Sequence, residues 1–279
     1  MKILRAPFYL LGLFPYTLMN VTLGNLMYFK LRVLFKYRQD VVVQNLSRAF
    51  PDKKYGEIKL IAKDFYKYFS NFFVEVIYLF SGRKGLCISK VKFQNLELLD
   101  RYIAQNRQII CVLGHYGNWE YLNVLPQFLP CRVNAAYKPL SNKLVNRLML
   151  EVRGQHGANL VPDKQILRCL LKSKDTPQFS FFIADQFPGR NQGLPVQFLN
   201  QPTTMFNGAE KIAQALDAVV VYMDMNQCSE KIWNMRLQLI CENADQTASG
   251  EITQAFAKHL EESIMENPSL WLWSHKRWK

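Results

Sequence analysis

The sequence predicts an α/β fold: a mostly parallel sheet flanked by helices, preceded by an N-terminal membrane-associated helical extension. Three observations carry this. From about residue 87 onward, short apolar runs alternate with amphipathic stretches, the pattern of strands covered on both faces by helices. Before them, residues 55–80 form a long run whose apolar side chains recur at three and four. Before that again, no charge falls between Arg5 and Lys30. The expected organisation is an anchor or interfacial helix at 1–38 and an α/β domain at 39–279.

Taking the elements in order, the uncharged start is long enough to cross a bilayer, which takes about 20 apolar residues. Pro15, Gly12, Gly24, Asn20 and Asn25 dilute it, and Lys2, Arg5, Lys30, Arg32, Lys36 and Arg38 flank it. No small-residue cleavage site follows, so a secretory signal fits poorly. A spanning helix and a helix lying in the interface both remain open, and either puts the chain at a membrane. Residues 41–54 read as a short helix ended by Pro51. In the helix over 55–80, the stripe of Ile58, Ile61, Phe65, Phe69, Phe72, Phe73, Val76 and Leu79 reads as core, or as one wall of an acyl-chain groove. Strands are expected at 87–93, 108–113, 132–137, 178–184, 218–224 and 235–240. Helices are expected at about 94–105, 118–128, 141–154, 163–174, 205–217 and 249–266. The end, "NPSLWLWSHKRWK", sets Trp271, Trp273 and Trp278 beside Lys276, Arg277 and Lys279, a mixture suited to a headgroup boundary.

Composition narrows the partners. Of the 279 residues, 49% are apolar and 20% charged, which supports a packed core and argues against disorder. The formal net charge of +13 points to an anionic partner: nucleic acid, anionic lipid or an acidic protein. No helix-turn-helix, zinc finger or Gly-Phe-rich motif is present, so no nucleic acid is expected, and the apolar start favours anionic membrane lipids. Six cysteines show no C-x-x-C pair or metal-ligand spacing, which reads as a reducing compartment. H-E-x-x-H is absent and there are four histidines in all, so no metal is expected.

The chemistry concentrates in "GHYGNWE", residues 114–120. His115 lies two residues beyond the expected strand 108–113, at the strand end where open α/β sheets gather reacting groups. Gly114 and Gly117 permit a sharp turn, and Asn118 is a candidate N-cap for the helix that follows. Glu120 then falls in that helix's first turn, where the positive dipole end favours a carboxylate. A turn could fold His115 and Glu120 together. Glu120 would accept from Nδ1–H of His115, leaving Nε2 free to take a proton from a substrate hydroxyl. That arrangement fits direct acyl transfer; a structural pair is the alternative.

The segment "HYGNWE" resembles the H-x4-D/E motif of membrane glycerolipid acyltransferases, and more closely the variant in the lipid A biosynthesis late acyltransferase family. Residues 37–52, 136–154, 184–189 and 267–279 resemble further stretches of that family in the same order. The resemblance implies an enzyme moving an acyl chain from an acyl carrier protein thioester to a hydroxyl of a lipid acceptor, a lipid A precursor. It implies the cytoplasmic face of the inner membrane and no cofactor. Carried over, His115 is the base and Glu120 its orienting partner. Backbone amides at Gly117, Asn118 and Trp119 are candidates for the oxyanion. Arg153 would hold an anionic substrate group or assist the oxyanion, with Lys138 a weaker candidate. Asp185 matches an acidic position at another strand end, or caps the turn at Pro188–Gly189. Lys138 stands where the family often has arginine, so a different acceptor, an aminolipid or a glycosylated phospholipid, stays open. A non-catalytic lipid-binding protein on the same fold is the other alternative.

Overall fold

A computed structural model of the chain describes residues 2–81, 84–189, 192–229 and 232–278. Its N-terminal third is helical. Helix α1 (Lys2–Leu11) is followed by a run from Tyr16 to Leu34: α2 (Tyr16–Met19), a π turn, α3 (Asn25–Tyr28) and a second π turn. Then come α4 (Gln39–Ala49), the long α5 (Tyr55–Phe80) and α6 (Lys84–Ile88). The predicted stripe on α5 is core: Ile58, Phe65, Phe69, Phe72 and Leu79 are all buried.

The N-terminal helices pack on α5. Rings of Phe8 and Phe80 lie 4.9 Å apart, and Tyr78 donates from its hydroxyl to the Phe14 carbonyl. Gly12 permits this approach, since a Cβ there would meet the Ser81 Cβ at 2.3 Å. The outer face is apolar and bare. Leu10, Leu13, Phe14, Leu18, Val21, Leu26, Phe29, Val33, Leu34 and Phe35 are all exposed. Among the described residues no helix is long and apolar enough to cross a membrane.

The α/β half carries β1 (Val91–Gln94), α7 (Asp100–Ala104), β2 (Gln108–Leu113), β3 (Arg132–Tyr137), α8 (Lys143–Gly154), β4 (Asn159–Pro162), α9 (Ile166–Leu171), β5 (Gln178–Ile183), β6 (Leu194–Phe198), β7 (Gln201–Met205), α10 (Gly208–Ala215), β8 (Val219–Ser229), β9 (Ile232–Cys241) and α11 (Glu251–Glu266). Seven strands form one sheet in the order β1-β9-β8-β2-β5-β3-β4. All neighbours are parallel except β8 and β9, which pair antiparallel. The sheet is thus mostly parallel, as expected. β2 is buried at all six positions, which explains its uninterrupted apolar run.

Three strands were not expected. β4, "NLVP", is too short to show a period, and the antiparallel hairpin β6–β7 hides behind Pro195, Pro202 and two glutamines. The strand expected at 87–93 starts only at Val91, because residues up to Ile88 extend a helix behind α5. The stretch after Asn118 is a 3-10 helix, Trp119–Gln127, with Pro126 near its end. Thiols at Cys87, Cys111, Cys131, Cys169 and Cys241 are free.

The tryptophan tail turns inward. Trp271 and Trp273 are buried, not set at a surface boundary. Asn45 on α4 donates to the carbonyls of Trp273 and His275 at 2.9 and 3.0 Å, and Arg38 donates to the Ser274 carbonyl at 2.9 Å. The segment after the N-terminal helices therefore clasps the C-terminus.

Candidate active site

The register of the central strands builds the site. β2 and β5 pair in parallel with Leu113 opposite Ile183. Two residues beyond those ends stand His115 and Asp185, side by side at the carboxyl edge of the sheet. Nδ1 of His115 lies 2.6 Å from Oδ1 of Asp185, and the His115 backbone N–H donates to Oδ2 at 2.9 Å. Nε1–H of the buried Trp271 donates to the same Oδ2 at 2.8 Å. Gly114 makes room: a Cβ there would meet Asp185 Oδ2 at 3.3 Å and the Leu260 side chain at 2.7 Å.

Burial alone would raise the Asp185 carboxyl. The charge of His115, its two hydrogen bonds and the Trp271 donor outweigh that and hold it at about 2. Asp185 is therefore an anion at neutral pH. An ionised carboxylate only accepts, so Nδ1 carries a proton, and in the neutral imidazole the lone pair is then on Nε2. Nε2 faces outward, 3.3 Å from the Gln186 side-chain amide nitrogen. The ring is held edge-on against Trp119, centroids 4.8 Å apart, and Trp119 rests in turn on Phe72 of α5 at 4.6 Å.

Glu120 goes elsewhere. Its carboxylate receives a two-pronged contact from Arg153, Nε to Oε2 at 2.9 Å and Nη2 to Oε1 at 2.5 Å. This corrects the expectation that Glu120 orients the histidine; Asp185 occupies that place. The physical reason lies in the capped 3-10 turn. Asn118 Oδ1 accepts the Glu120 backbone N–H at 3.2 Å, and the side chain is aimed at the last turn of α8, where Arg153 sits. Burial works against the Arg153 charge, but the charge and hydrogen bonds of Glu120 prevail and hold the guanidinium above its usual value. The pair lines a narrow cleft with Trp119, Tyr137, Phe181 and Ile183.

The remaining candidates divide. Gly117, at φ +61°, has the left-handed backbone that glycine tolerates, and a Cβ there would meet Met225 at 2.8 Å. Its N–H is spent on the Leu270 carbonyl at 3.0 Å, and Leu272 N–H returns to the His115 carbonyl, so Gly117 is withdrawn from the expected oxyanion donors. The backbone amides of Asn118 and Trp119 remain candidates. Asn118 is the N-cap expected of it, and its own amide donates to Glu75 at 2.5 Å. Lys138 is exposed, one residue past β3 on the same sheet edge. Asp185 is not a cap for the Pro188–Gly189 turn but the histidine's partner.

Sequence reasoning missed two contributors, Trp271 and Glu75. Glu75 is buried on α5 and accepts from Asn118, from Trp233 Nε1 at 3.1 Å and from the Tyr16 hydroxyl at 3.1 Å. About two turns earlier on α5, Tyr68 donates to the Gly117 carbonyl at 2.7 Å. Helical spacing of an acid and a tyrosine inside an aromatic stripe was the available signal, and it is a weak one. Among the described residues no group of three or more His, Cys, Asp or Glu is placed to hold a metal ion.

This site sits in a chain that matches the bacterial lipid A biosynthesis acyltransferase family over residues 5–279. The chain belongs to that family. Its members are acyltransferases, and the family implies an acyl donor and a lipid acceptor. No curated protein matches the chain.

Proposed function

We propose that this acyltransferase moves a fatty acyl chain from an acyl carrier protein thioester to a hydroxyl of a lipid A precursor, with His115 as general base. The observation that carries the reading is the Asp185–His115 contact, which leaves a basic Nε2 at the mouth of the site. Nε2 takes the proton from the acceptor hydroxyl as its oxygen attacks the thioester carbonyl. Asp185 fixes the tautomer and stabilises the imidazolium that forms. Negative charge then develops on the carbonyl oxygen. Arg153, steadied by Glu120, and the amides of Asn118 and Trp119 are the groups placed to answer it. The thiol of the carrier's arm leaves and takes back the proton from His115. No side-chain nucleophile is needed, because the acceptor brings the hydroxyl.

Three features support action at a membrane, which the family resemblance would set at the cytoplasmic face of the inner membrane. The exposed apolar face of the N-terminal helices suits a helix lying in the interface, and the net charge of +13 suits anionic headgroups and an acidic carrier protein. The clasp between α4 and the C-terminal tail fastens that face to the catalytic half. A related acceptor, such as an aminolipid, uses the same chemistry. The test is purified enzyme with radiolabelled acyl carrier thioester and a panel of lipid acceptors. Transfer to a lipid A precursor is expected, and His115→Ala should reduce it about 100- to 10,000-fold. Turnover within twofold of wild type in that variant removes the base from this reading.

A further inference from the structure

Behind Asp185, the C-terminal tail hides an arginine whose guanidinium is only partly engaged. Arg277 is fully buried; Nη1 donates to Thr203 Oγ1 at 3.0 Å and to the Thr204 carbonyl at 2.7 Å, and the guanidinium lies over the Phe198 ring at 5.8 Å. Among the described residues Nε and Nη2 have no hydrogen-bond partner. Buried donors left without an acceptor are costly, so structures seldom keep them. Around it are further polar atoms in the same condition: Thr204 Oγ1, Gln201 Nε2 and Trp278 Nε1. Three of these four residues, Gln201, Thr204 and Trp278, line one cavity of about 670 Å³, with Thr203, Pro202, Phe187 and Arg48.

Three properties of this place define its ligand. Among the described residues no carboxylate lines the cavity, while the exposed Arg48 adds a second positive charge at its wall. The unsatisfied groups are donors almost throughout: guanidinium N–H, amide N–H₂, indole N–H and a hydroxyl. That set matches an oxyanion with several acceptor oxygens. The cavity also adjoins the chemistry. Phe187 lies two residues beyond Asp185, and Trp278 packs against Trp271, the donor to Asp185, with centroids 5.9 Å apart. Burial pushes Arg277 down to about 10 while the Asp185 charge opposes this, so the guanidinium stays cationic at neutral pH.

We propose that Arg277, Thr204, Gln201 and Trp278, with Arg48 at the wall, form a binding site for a phosphate ester carried by one of the two substrates. The assignment to a substrate rests on the acyl-transfer reading above; the anion site itself does not. Two sources share this chemistry, a phosphorylated lipid acceptor and the phosphodiester in a carrier protein's prosthetic arm. A phosphate seated here would hold its substrate beside Nε2 of His115 and give Nε and Nη2 of Arg277 the acceptors they lack. The indole of Trp278 is the cover that has to shift for the phosphate to reach Nε and Nη2.

Titration of the full-length protein with inorganic phosphate at constant ionic strength, by calorimetry and tryptophan fluorescence, tests the site without any turnover. Saturable binding at one site is expected. Arg277→Met should weaken it by about tenfold or more, as loss of a charge-assisted contact does. Thr204→Val and Arg48→Ala should weaken it less; both alter the cavity wall, and they decide the matter if Arg277→Met fails to fold. Absence of phosphate binding by the wild type, or equal binding in the folded variants, overturns the site. Steady-state kinetics then separate the sources. A KM raised for the lipid alone assigns the site to the acceptor, and one raised for the thioester alone assigns it to the carrier arm. Both KM values unchanged in variants that have lost phosphate binding would overturn the substrate assignment. Phosphate binding in a protein without acyl transfer would keep the site and sink the reading.

Discussion

Two acid–base pairs flank the "GHYGNWE" turn, and they are built in opposite ways. His115 and Asp185 are 70 positions apart in the chain but adjacent in the sheet, because two parallel strands end in register and each exits by two residues. Glu120 and Arg153 join a 3-10 turn to the end of a helix, away from any strand end. The first pair holds an ionisable group whose second nitrogen faces outward. The second pair locks two charges onto each other by two hydrogen bonds and leaves no free lone pair aimed at a proton. A carboxylate with both oxygens held by a guanidinium is a positioning device, whereas an imidazole whose second nitrogen faces outward can do proton transfer. The five-residue spacing of histidine and glutamate thus marks two neighbouring devices, not one dyad.

The largest effect should come from breaking the first pair at its acid. Asp185→Asn keeps the shape but no longer compels the proton onto Nδ1, and kcat should fall about 100- to 10,000-fold. If Glu120 were the orienting acid, Asp185→Asn would be nearly silent and Glu120→Gln would carry that loss. Acid stability gives a second readout. The folded carboxyl sits at about 2 against an ordinary value of 3.8. A depressed acid contributes stability that is present above about pH 4 and lost as pH falls toward 2. Asp185→Asn should remove that segment of the pH–stability curve, measured by denaturant unfolding at fixed pH steps.

The second pair should answer in stability first. Arg153→Met strands the more deeply buried partner, Glu120, and should cost about 3 kcal/mol. Glu120→Gln should cost less, because Arg153 is the more exposed of the two and keeps an amide oxygen to bond. The double variant should recover much of the loss, since it leaves no unpaired charge. Strict additivity in a double-mutant cycle would mean that the two residues do not act as one unit.

What the sequence made legible follows the same division. Apolar runs announced β2 and β5, which are buried along nearly their whole length, while β9 showed itself by the alternation of a strand exposed on one face. The position of His115 followed from the end of β2, and Asp185 was visible at the end of another strand. Their meeting was not, because strand order is a property of the whole sheet: nothing local says that β5 lies next to β2. Glu120 misled for the converse reason. Its closeness in sequence was real, but a capped 3-10 turn aims successive side chains in different directions. The tryptophan tail misled by composition alone. Trp271 beside basic residues suits an interface, yet the buried Asp185 takes its indole N–H.

The smallest effect, and the sharpest contrast with Asp185, is expected at Glu75. Both are buried carboxyls with three donors, but Asp185 has a titrating partner that can become cationic, while Glu75 has Asn118, Trp233 and Tyr16. Burial dominates there, and although those three hydrogen bonds and the charge of Lys90 work against it, the carboxyl is raised above its ordinary value. A raised folded pKa gives stability that is present below the unfolded value near 4.5 and lost as pH rises through the folded one. Glu75→Gln keeps the shape, can still accept from Asn118 and Trp233, and can turn its own amide toward the Tyr16 oxygen. It should change stability by about 1 kcal/mol or less at neutral pH, with the gain over wild type growing as pH climbs from 4 to 7. Turnover should stay close to wild type, because Asn118 remains tethered and the turn bearing His115 stays in place. A marked loss of kcat with unchanged melting would instead make the charge of Glu75, and not merely its oxygens, part of what holds the catalytic turn.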